Sequence, residues 1–169
     1  MSGEPGSALE ADFRLAMGRF ASGVCVVTTT DGTTDYAMTV ASVCSVSLDP
    51  ALLLVCIEKG ARFHDVVIGA GRFTVNILSA TQRPISQWLA TRGRPVQGQL
   101  QDIPHRLGSA TGTAVIDGAQ ASIEARTFSV HPAGDHSIIV GEALSIEVDE
   151  QTVPLPLVHY RSGYTTVTS

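Results

Sequence analysis

The chain has few of the residues on which several common kinds of site depend. Its 169 residues include one lysine, one tryptophan and three cysteines, namely Cys25, Cys44 and Cys56. The odd number of cysteines, with no CxxC motif and no paired histidine, fits neither a disulfide framework nor a zinc site. No apolar run approaches the ~20 residues that cross a bilayer, and the first residues lack the basic and apolar regions of a secretion signal. We therefore expect a cytoplasmic protein with no membrane partner.

The charge and hydropathy of the chain indicate a globular protein. The net charge is −5 without any basic cluster, which argues against a nucleic-acid partner. Hydrophobic residues make up 44% and charged residues 16%, and this length is typical of one domain with a real core. We expect a disordered terminus over residues 1–7 and a single domain over residues 8–169.

The motifs of several enzyme classes are also missing. The glycines form neither the GxGxxG pattern nor a P-loop, so a Rossmann or P-loop nucleotide site is not indicated. There is no GxSxG elbow, no HExxH motif and no carboxylate pair that would indicate hydrolysis or metal chemistry. We expect no metal site, and chemistry supplied by a cofactor remains, in which the protein provides shape and orientation.

The periodicity predicts a mainly β protein with a few helices. Helical spacing covers residues 8–20, 61–69 and 82–90, while residues 91–108 form a long irregular stretch of the kind that is usually functional or mobile. The remaining apolar segments are short and β-branched, and hairpin-length turns separate them. This pattern favours a small β-barrel with helical inserts over a doubly wound parallel sheet.

Residues 36–57 form the most informative segment. Small hydroxyl side chains are placed among apolar residues before the turn Leu48-Asp49-Pro50, and they belong to Thr39, Ser42, Ser45 and Ser47. A strand of this kind presents a polar strip on an apolar wall, which suits a ligand with a flat apolar ring and a phosphate or polyol tail, such as a flavin. The alternative is an ordinary strand whose exposed face carries serine and threonine.

Two further features are candidates for ligand binding. Lys59, the only lysine, lies three residues before Arg62 at the start of a predicted helix, where cations and helix dipole could act on one anion. The turn Gly134-Asp135-His136 precedes an apolar strand and places an imidazole at the rim of the predicted barrel. The alternative interpretation is that neither the position of Lys59 nor the turn residue His136 has a functional role.

Five stretches in order make the chain resemble the flavin reductase-like family with the FMN-binding split barrel, especially the short reductase components of two-component monooxygenases. The stretches are residues 20–29, residues 38–50, residues 54–57, residues 71–78 and residues 134–142. The resemblance implies a homodimer of six-stranded antiparallel Greek-key barrels with flavin near the subunit boundary. It also implies an NAD(P)H:flavin oxidoreductase that transfers a hydride directly and supplies reduced flavin to a partner monooxygenase.

The resemblance assigns roles to individual residues. His136 is the catalytic residue, and it faces NADH or NADPH together with Asp135 and Tyr160. The residues implied to bind FMN or FAD are Thr39, Val40, Ala41, Ser42, Val43, Ser45, Glu58, Lys59, Arg62, Phe63, Asn76 and Tyr164. Within this set Ser42 is expected near the phosphate.

The chain departs from the family pattern at two places. Position 41 is alanine where serine is common, and the loop Lys59–Phe63 lacks the usual serine or threonine, which makes Arg62 the substitute for phosphate binding. The sequence does not distinguish a preference for FMN from one for FAD, and it favours NADH only mildly over NADPH as the hydride donor. Two other functions stay open: an electron carrier or sensor that holds flavin tightly without turnover, and a barrel that binds a partner and no cofactor.

Overall fold

The computed structural model describes residues 8–150 and 155–167, so the terminus expected to be disordered lies outside the described residues. Three helices and one 3₁₀ turn accompany the strands: α1 (Ala8–Met17), α2 (Arg62–Ala70), the turn Ala80–Gln82 and α3 (Arg83–Ala90). The strands are β1 (Ser22–Gly23), β2 (Cys25–Thr30), β3 (Asp35–Val40), β4 (Val43–Leu48), β5 (Ala51–Glu58), β6 (Arg72–Ile77), β7 (His105–Leu107), β8 (Ala114–Ile116), β9 (Ala121–Ala133), β10 (His136–Val148), β11 (Val158–Tyr160) and β12 (Gly163–Thr165).

The principal sheet has seven strands in the order β3-β2-β6-β9-β10-β5-β4, and every neighbouring pair is antiparallel. This confirms the mainly β antiparallel prediction, with one strand more than the resemblance implies. Two small sheets, β1-β11-β12 and β7-β8, complete the described β structure.

The connection between β3 and β4 requires the principal sheet to curl. These two strands form its opposite edges, yet only Ala41 and Ser42 separate them in the chain. Three peptide steps span at most about 11 Å, whereas seven flat strands would place the edges about 29 Å apart. The sheet must therefore wrap into an incomplete barrel whose edges approach each other at residues 40–43.

Most predicted elements are present with shifted ends. The helix predicted over residues 8–20 ends at Met17, and the helix predicted from residue 82 is preceded by a 3₁₀ turn. Pro84 lies in the first turn of α3, where its missing N–H does not cost a helical hydrogen bond. The irregular stretch of residues 91–108 contains one short strand, β7, which pairs with β8.

Two clusters of buried side chains form the core. The first fills the interior of the curled sheet and includes Val27, Val55, Val75 and Ile139, all fully buried. The second lies beneath α3 and includes Leu78, Leu89, Leu100, Ile103 and Leu157. Because α3 packs on this second cluster, the loop that follows it is held near the open edge of the barrel.

Within the described ranges, no helix combines the length and the apolar character that crossing a bilayer requires.

Candidate functional site

The open edge of the barrel contains a cavity of about 530 Å³, here called the strand pocket. Its wall is formed by the end of β3, the start of β4 and the facing part of β5, with residues from three other segments. The lining residues are Met17, Phe20, Ser22, Met38, Thr39, Val40, Ala41, Ser42, Val43, Cys44, Leu54, Cys56, Glu58, His136 and His159.

Hydrogen bonds fix the hydroxyl residues of this wall. The Ser42 hydroxyl donates to the carbonyl oxygen of Cys56 at 3.0 Å and accepts from the Cys56 N–H at 3.3 Å. The Thr39 hydroxyl donates to the carbonyl oxygen of Ser86 at 2.8 Å, which ties β3 to α3. These hydrogen bonds to backbone groups connect the wall to β5 and to α3.

His136 enters the strand pocket from the hairpin that joins β9 and β10. Gly134 has φ +60° at the first central position of this two-residue turn, where glycine is typical of a type II′ hairpin. His136 pairs across the sheet with Glu58, and its Nδ1 donates to the Asp135 carboxylate at 2.7 Å. This hydrogen bond and the charge of His136 lower the pKa of Asp135, so the carboxylate stays ionised and orients the ring.

Lys59 holds the same turn from the end of β5. Its backbone N–H donates to the carbonyl oxygen of Asp135 at 2.9 Å, and its Nζ donates to the carbonyl oxygen of Gly134 at 2.7 Å. Lys59 lines neither the strand pocket nor the cavity beside it. The structure thus gives the only lysine a contact on the histidine side, where the resemblance implies a contact with flavin.

A second cavity, of about 420 Å³, adjoins the strand pocket and shares Met38, Thr39 and Glu58 with it. We call it the arginine pocket because three arginines line it. Its lining residues are Ala37, Met38, Thr39, Glu58, Gly60, Ala61, Arg62, Phe63, Leu89, Ala90, Arg92, Gly93, Arg94 and Gln99. We call these two adjoining cavities together the slot, and the three arginines give it a cationic end.

The structure brings most of the predicted site residues to this slot. The strand pocket contains Thr39, Val40, Ala41, Ser42, Val43, Glu58 and His136, and the arginine pocket contains Arg62 and Phe63. Six predicted residues line neither cavity, and they are Ser45, Lys59, Asn76, Asp135, Tyr160 and Tyr164.

Two of those six have clear structural tasks. Asn76 is fully buried, and its amide group binds the backbone of Val26 and Ile116 and the hydroxyl of Ser122. Tyr164 accepts a hydrogen bond from the Ser86 hydroxyl at 2.8 Å and packs against the second core cluster. The polar groups of both side chains are thus bound by other parts of the protein, and neither side chain lines the two cavities.

Several lining residues have no counterpart among the sequence predictions. Arg94 and Gln99 come from the irregular stretch after α3, and Met17, Phe20 and His159 reach the strand pocket from distant parts of the chain. The length of the irregular stretch was the one available signal, since long loops in compact domains are usually functional. No local pattern distinguished Arg94 from the other arginines of the chain.

The residues present fit a flavin nucleotide. Val40, Val43 and Leu54 give the strand pocket apolar surface for a ring, while His136 and the strand-edge backbone supply polar groups. The arginines of the adjoining cavity supply positive charge where a phosphate tail would extend from that ring. Bound there, flavin would supply an acceptor for a hydride from reduced nicotinamide.

Comparison with known proteins agrees with this geometry. A family model described as "Flavin reductase like domain" matches residues 17–168. The chain is 38% identical over 164 residues to the NADH-dependent FMN reductase AsuE2 of Streptomyces nodosus subsp. asukaensis, covering 97% of this chain and 86% of that protein. It is 35% identical over 152 residues to the reductase component of 4-hydroxyphenylacetate 3-monooxygenase of Thermus thermophilus, covering 90% and 93% respectively.

A solved structure shares the fold over nearly the whole length. The crystal structure of BorF, the flavin reductase component of a bacterial two-component tryptophan halogenase, superposes with a TM-score of 0.88 at 35% sequence identity. The match covers 95% of this chain and 99% of that one. The chain belongs to the flavin reductase-like family.

Proposed function

We propose that this protein is an NAD(P)H:flavin oxidoreductase that reduces FMN or FAD by direct hydride transfer. The observation that supports this most is that Ser42 and His136 line one cavity, so a ring against the β3–β4 wall would meet the imidazole. The relatives described as NADH-dependent FMN reductase and monooxygenase reductase component support the same activity and favour NADH as the donor.

The residues of the slot act by orientation and not as acid or base in the transfer. The β3–β4 wall would hold a bound flavin ring, and His136, oriented by Asp135, would contact the nicotinamide. Holding two reactants in one near-attack geometry contributes several kcal/mol to lowering a bimolecular barrier, roughly 7–11 in favourable cases.

The reduced flavin leaves for a separate oxygenase in this proposal. The relative from Thermus thermophilus is a monooxygenase reductase component and BorF is a halogenase reductase component, which supports a partner that consumes reduced flavin. We place the reaction in the cytoplasm, and the three unpaired cysteines of the chain agree with a reducing compartment.

We also propose that the chain forms a homodimer, as the resemblance implies. No residue of α1 is buried, although the helix carries Leu9, Phe13, Leu15 and Met17, and Phe20 just beyond it is 69% exposed. Exposed apolar groups of this extent mark interaction surfaces. Since Met17 and Phe20 also line the strand pocket, a second subunit covering this helix would help to enclose the ring. A sedimentation-velocity experiment that detects only monomer at all protein concentrations would contradict the homodimer.

Anaerobic stopped-flow absorbance tests the reductase activity directly. The protein is mixed with NADH or NADPH and with FMN, FAD or riboflavin, and bleaching of the oxidised flavin band is followed. We expect many turnovers of added flavin per protein molecule. If the purified protein is yellow and neither nicotinamide bleaches its flavin, the protein is a carrier or sensor. If it is colourless and binds none of the added flavins, it is a barrel that binds a partner and no cofactor.

A further inference from the structure

A histidine outside the slot connects α2 to the hairpin that carries His136. This residue, His64, lies in the first turn of α2, and its side chain is only 12% exposed. Its Nδ1 donates to the carboxylate of Asp65 at 2.7 Å, and its Nε2 lies 2.9 Å from the hydroxyl oxygen of Ser137. Because a carboxylate can only accept, Nδ1 carries the proton, and Nε2 of the neutral ring accepts from the Ser137 hydroxyl.

These three side chains are connected like a Ser-His-Asp triad, but they do not form a hydrolytic site. Ser137 is 5% exposed and lines neither the strand pocket nor the arginine pocket, so a substrate does not reach its hydroxyl. The carboxylate of a triad is buried, whereas the Asp65 side chain is 94% exposed. The hydrogen bond between His64 and Ser137 therefore serves to hold two elements together.

Of these two elements, α2 is the better anchored. Its residues Phe63 and Val67 are buried and belong to the first core cluster. Strand β10 first contributes a side chain to that cluster at Ile139, three residues after His136. Over residues 126–138, Ser137 is the only buried residue. The hydrogen bond to His64 thus attaches a thinly packed hairpin tip to a well-packed helix.

The imidazole of His136 depends on both neighbouring residues for its position. Lys59 holds Asp135 on the turn side through a backbone hydrogen bond, and His64 holds Ser137 on the strand side. The imidazole itself donates to the Asp135 side chain, which is 87% exposed, so solvent weakens that hydrogen bond. Successive strand residues point to opposite faces, so Ser137 faces α2 while His136 faces the strand pocket. A displacement of Ser137 therefore moves the adjacent imidazole relative to the slot.

We propose that His64 is a positioning residue that, through the Ser137 hydroxyl, fixes the hairpin tip and so places the imidazole of His136 against the nicotinamide. The inference rests on the proposed function, since it takes NADH or NADPH as the ligand that His136 contacts. A misplacement of about 1 Å can reduce a reaction rate about 100-fold, so one hydrogen bond here can influence hydride transfer. Helix α2 then serves both ends of the slot, because Arg62 and Phe63 line the arginine pocket.

Steady-state and stopped-flow kinetics of His64→Leu test this role. Leucine removes the hydrogen bond and suits a buried position. The loss of one hydrogen bond should raise the KM for NADH about two- to tenfold, and the rate constant of hydride transfer at saturating NADH should fall at least as much. The Kd for FMN should change by less than about twofold, because α2 stays anchored in the core. His64→Gln, whose amide reaches the position of Nε2, should restore most of the NADH affinity.

A double substitution separates positioning from a merely structural role. In a His136→Ala background, His64→Leu should have no further effect on the KM for NADH, because no imidazole remains to be placed. An effect of the same size in both backgrounds would overturn the proposal. So would a His64→Leu variant in which the Kd for FMN and the KM for NADH rise equally, or in which neither changes.

His131→Leu is the matched control. His131 lies on the same hairpin and also forms a hydrogen bond with a serine, Ser129, at 2.9 Å. That pair is exposed and stays within β9, so it connects the hairpin to no other element. We expect every kinetic constant of this variant to stay within about twofold of wild type. Losses equal to those of His64→Leu would contradict a specific role for the contact with α2.

Hydrogen–deuterium exchange followed by mass spectrometry gives a readout that does not depend on turnover. In His64→Leu, and in Ser137→Ala as a second variant, peptides covering residues 131–138 should exchange faster than in wild type, while α2 should be unchanged. Faster exchange in α2 with an unchanged hairpin would contradict the proposal. If wild-type protein reduces no flavin with either nicotinamide, the proposed reductase function fails, whereas the exchange result still decides whether His64 fixes the hairpin.

Discussion

Replacing Lys59 by methionine distinguishes two roles for the only lysine. The resemblance implies a flavin contact, whereas the structure places Nζ on the carbonyl oxygen of Gly134, beside the histidine turn. Methionine keeps most of the side-chain length and removes the charge and the donors. The backbone hydrogen bond from Lys59 to Asp135 remains, as does the β5–β10 pairing of Glu58 with His136.

The expected rise in the KM for NADH depends on the interactions that Lys59→Met removes and on those that it leaves in place. One charged hydrogen bond near the surface contributes about 1 kcal/mol after solvent screening, which corresponds to roughly fivefold in an equilibrium constant. The positive charge of Lys59 also helps to lower the pKa of Asp135, so that pKa should rise slightly in the variant. We therefore expect a looser turn and a KM for NADH raised about three- to tenfold.

Steady-state kinetics with each substrate varied in turn provides the assay. The KM for FMN and the Tm should change little in Lys59→Met, because Lys59 lines neither cavity. Lys59→Arg, which retains a cation and donors, should recover part of the NADH affinity. A rise in the KM for FMN with an unchanged KM for NADH would refute this reasoning and support the phosphate role instead.

Three other predictions follow from the same geometry. His136→Ala should raise the KM for NADH while leaving the Kd for FMN largely intact, and equal losses in both would contradict a nicotinamide-facing role. Asn76→Ala should lower the free energy of unfolding by about 2–4 kcal/mol, measured in urea, because it leaves the buried Ile116 N–H and Ser122 hydroxyl without their hydrogen-bond acceptor. Unchanged stability together with weaker FMN binding would instead indicate that Asn76 contacts the flavin. Iodoacetamide should modify the exposed Cys44 faster than the buried Cys25, whose pKa burial raises to about 12, and FMN should protect Cys44; mass spectrometry showing no protection would argue against flavin in the strand pocket.

Local patterns predicted a small β-barrel with helical inserts, and the resemblance to the family supplied the residues of the strand pocket. The hydroxyl strip, the turn before β5 and the Gly-Asp-His hairpin each depend on residues close together in the chain. Such features can be predicted from the alternation of apolar and polar residues and from the residue types that favour turns. The resemblance implied that residues 39–43 and His136 contribute to one site, and both line the strand pocket.

Contacts between distant segments could not be predicted in the same way. Arg94 reaches the carbonyl oxygen of Ala37 only because α3 packs on the second core cluster and delivers the following loop to β3. Asn76 lies on a strand beside the implied site, but β2, β8 and β9 surround its amide group. The direction of a side chain on a curled sheet depends on the partners of its strand, which no local period specifies.

The short link between β3 and β4 explains why the slot lies where it does. An edge strand presents unpaired N–H and C=O groups, which natural proteins cover or pair because bare edges invite aggregation. Here both edges of the sheet meet across two residues that line the strand pocket. On β3 the edge groups of Ala37 are covered by hydrogen bonds from Arg94 and to Gln99. A flat heterocycle with donors and acceptors on its rim can bind polar groups beside such an edge while its faces contact apolar side chains. The incomplete closure of the barrel is thus the structural origin of the site, and a link long enough to separate the two edges would remove it.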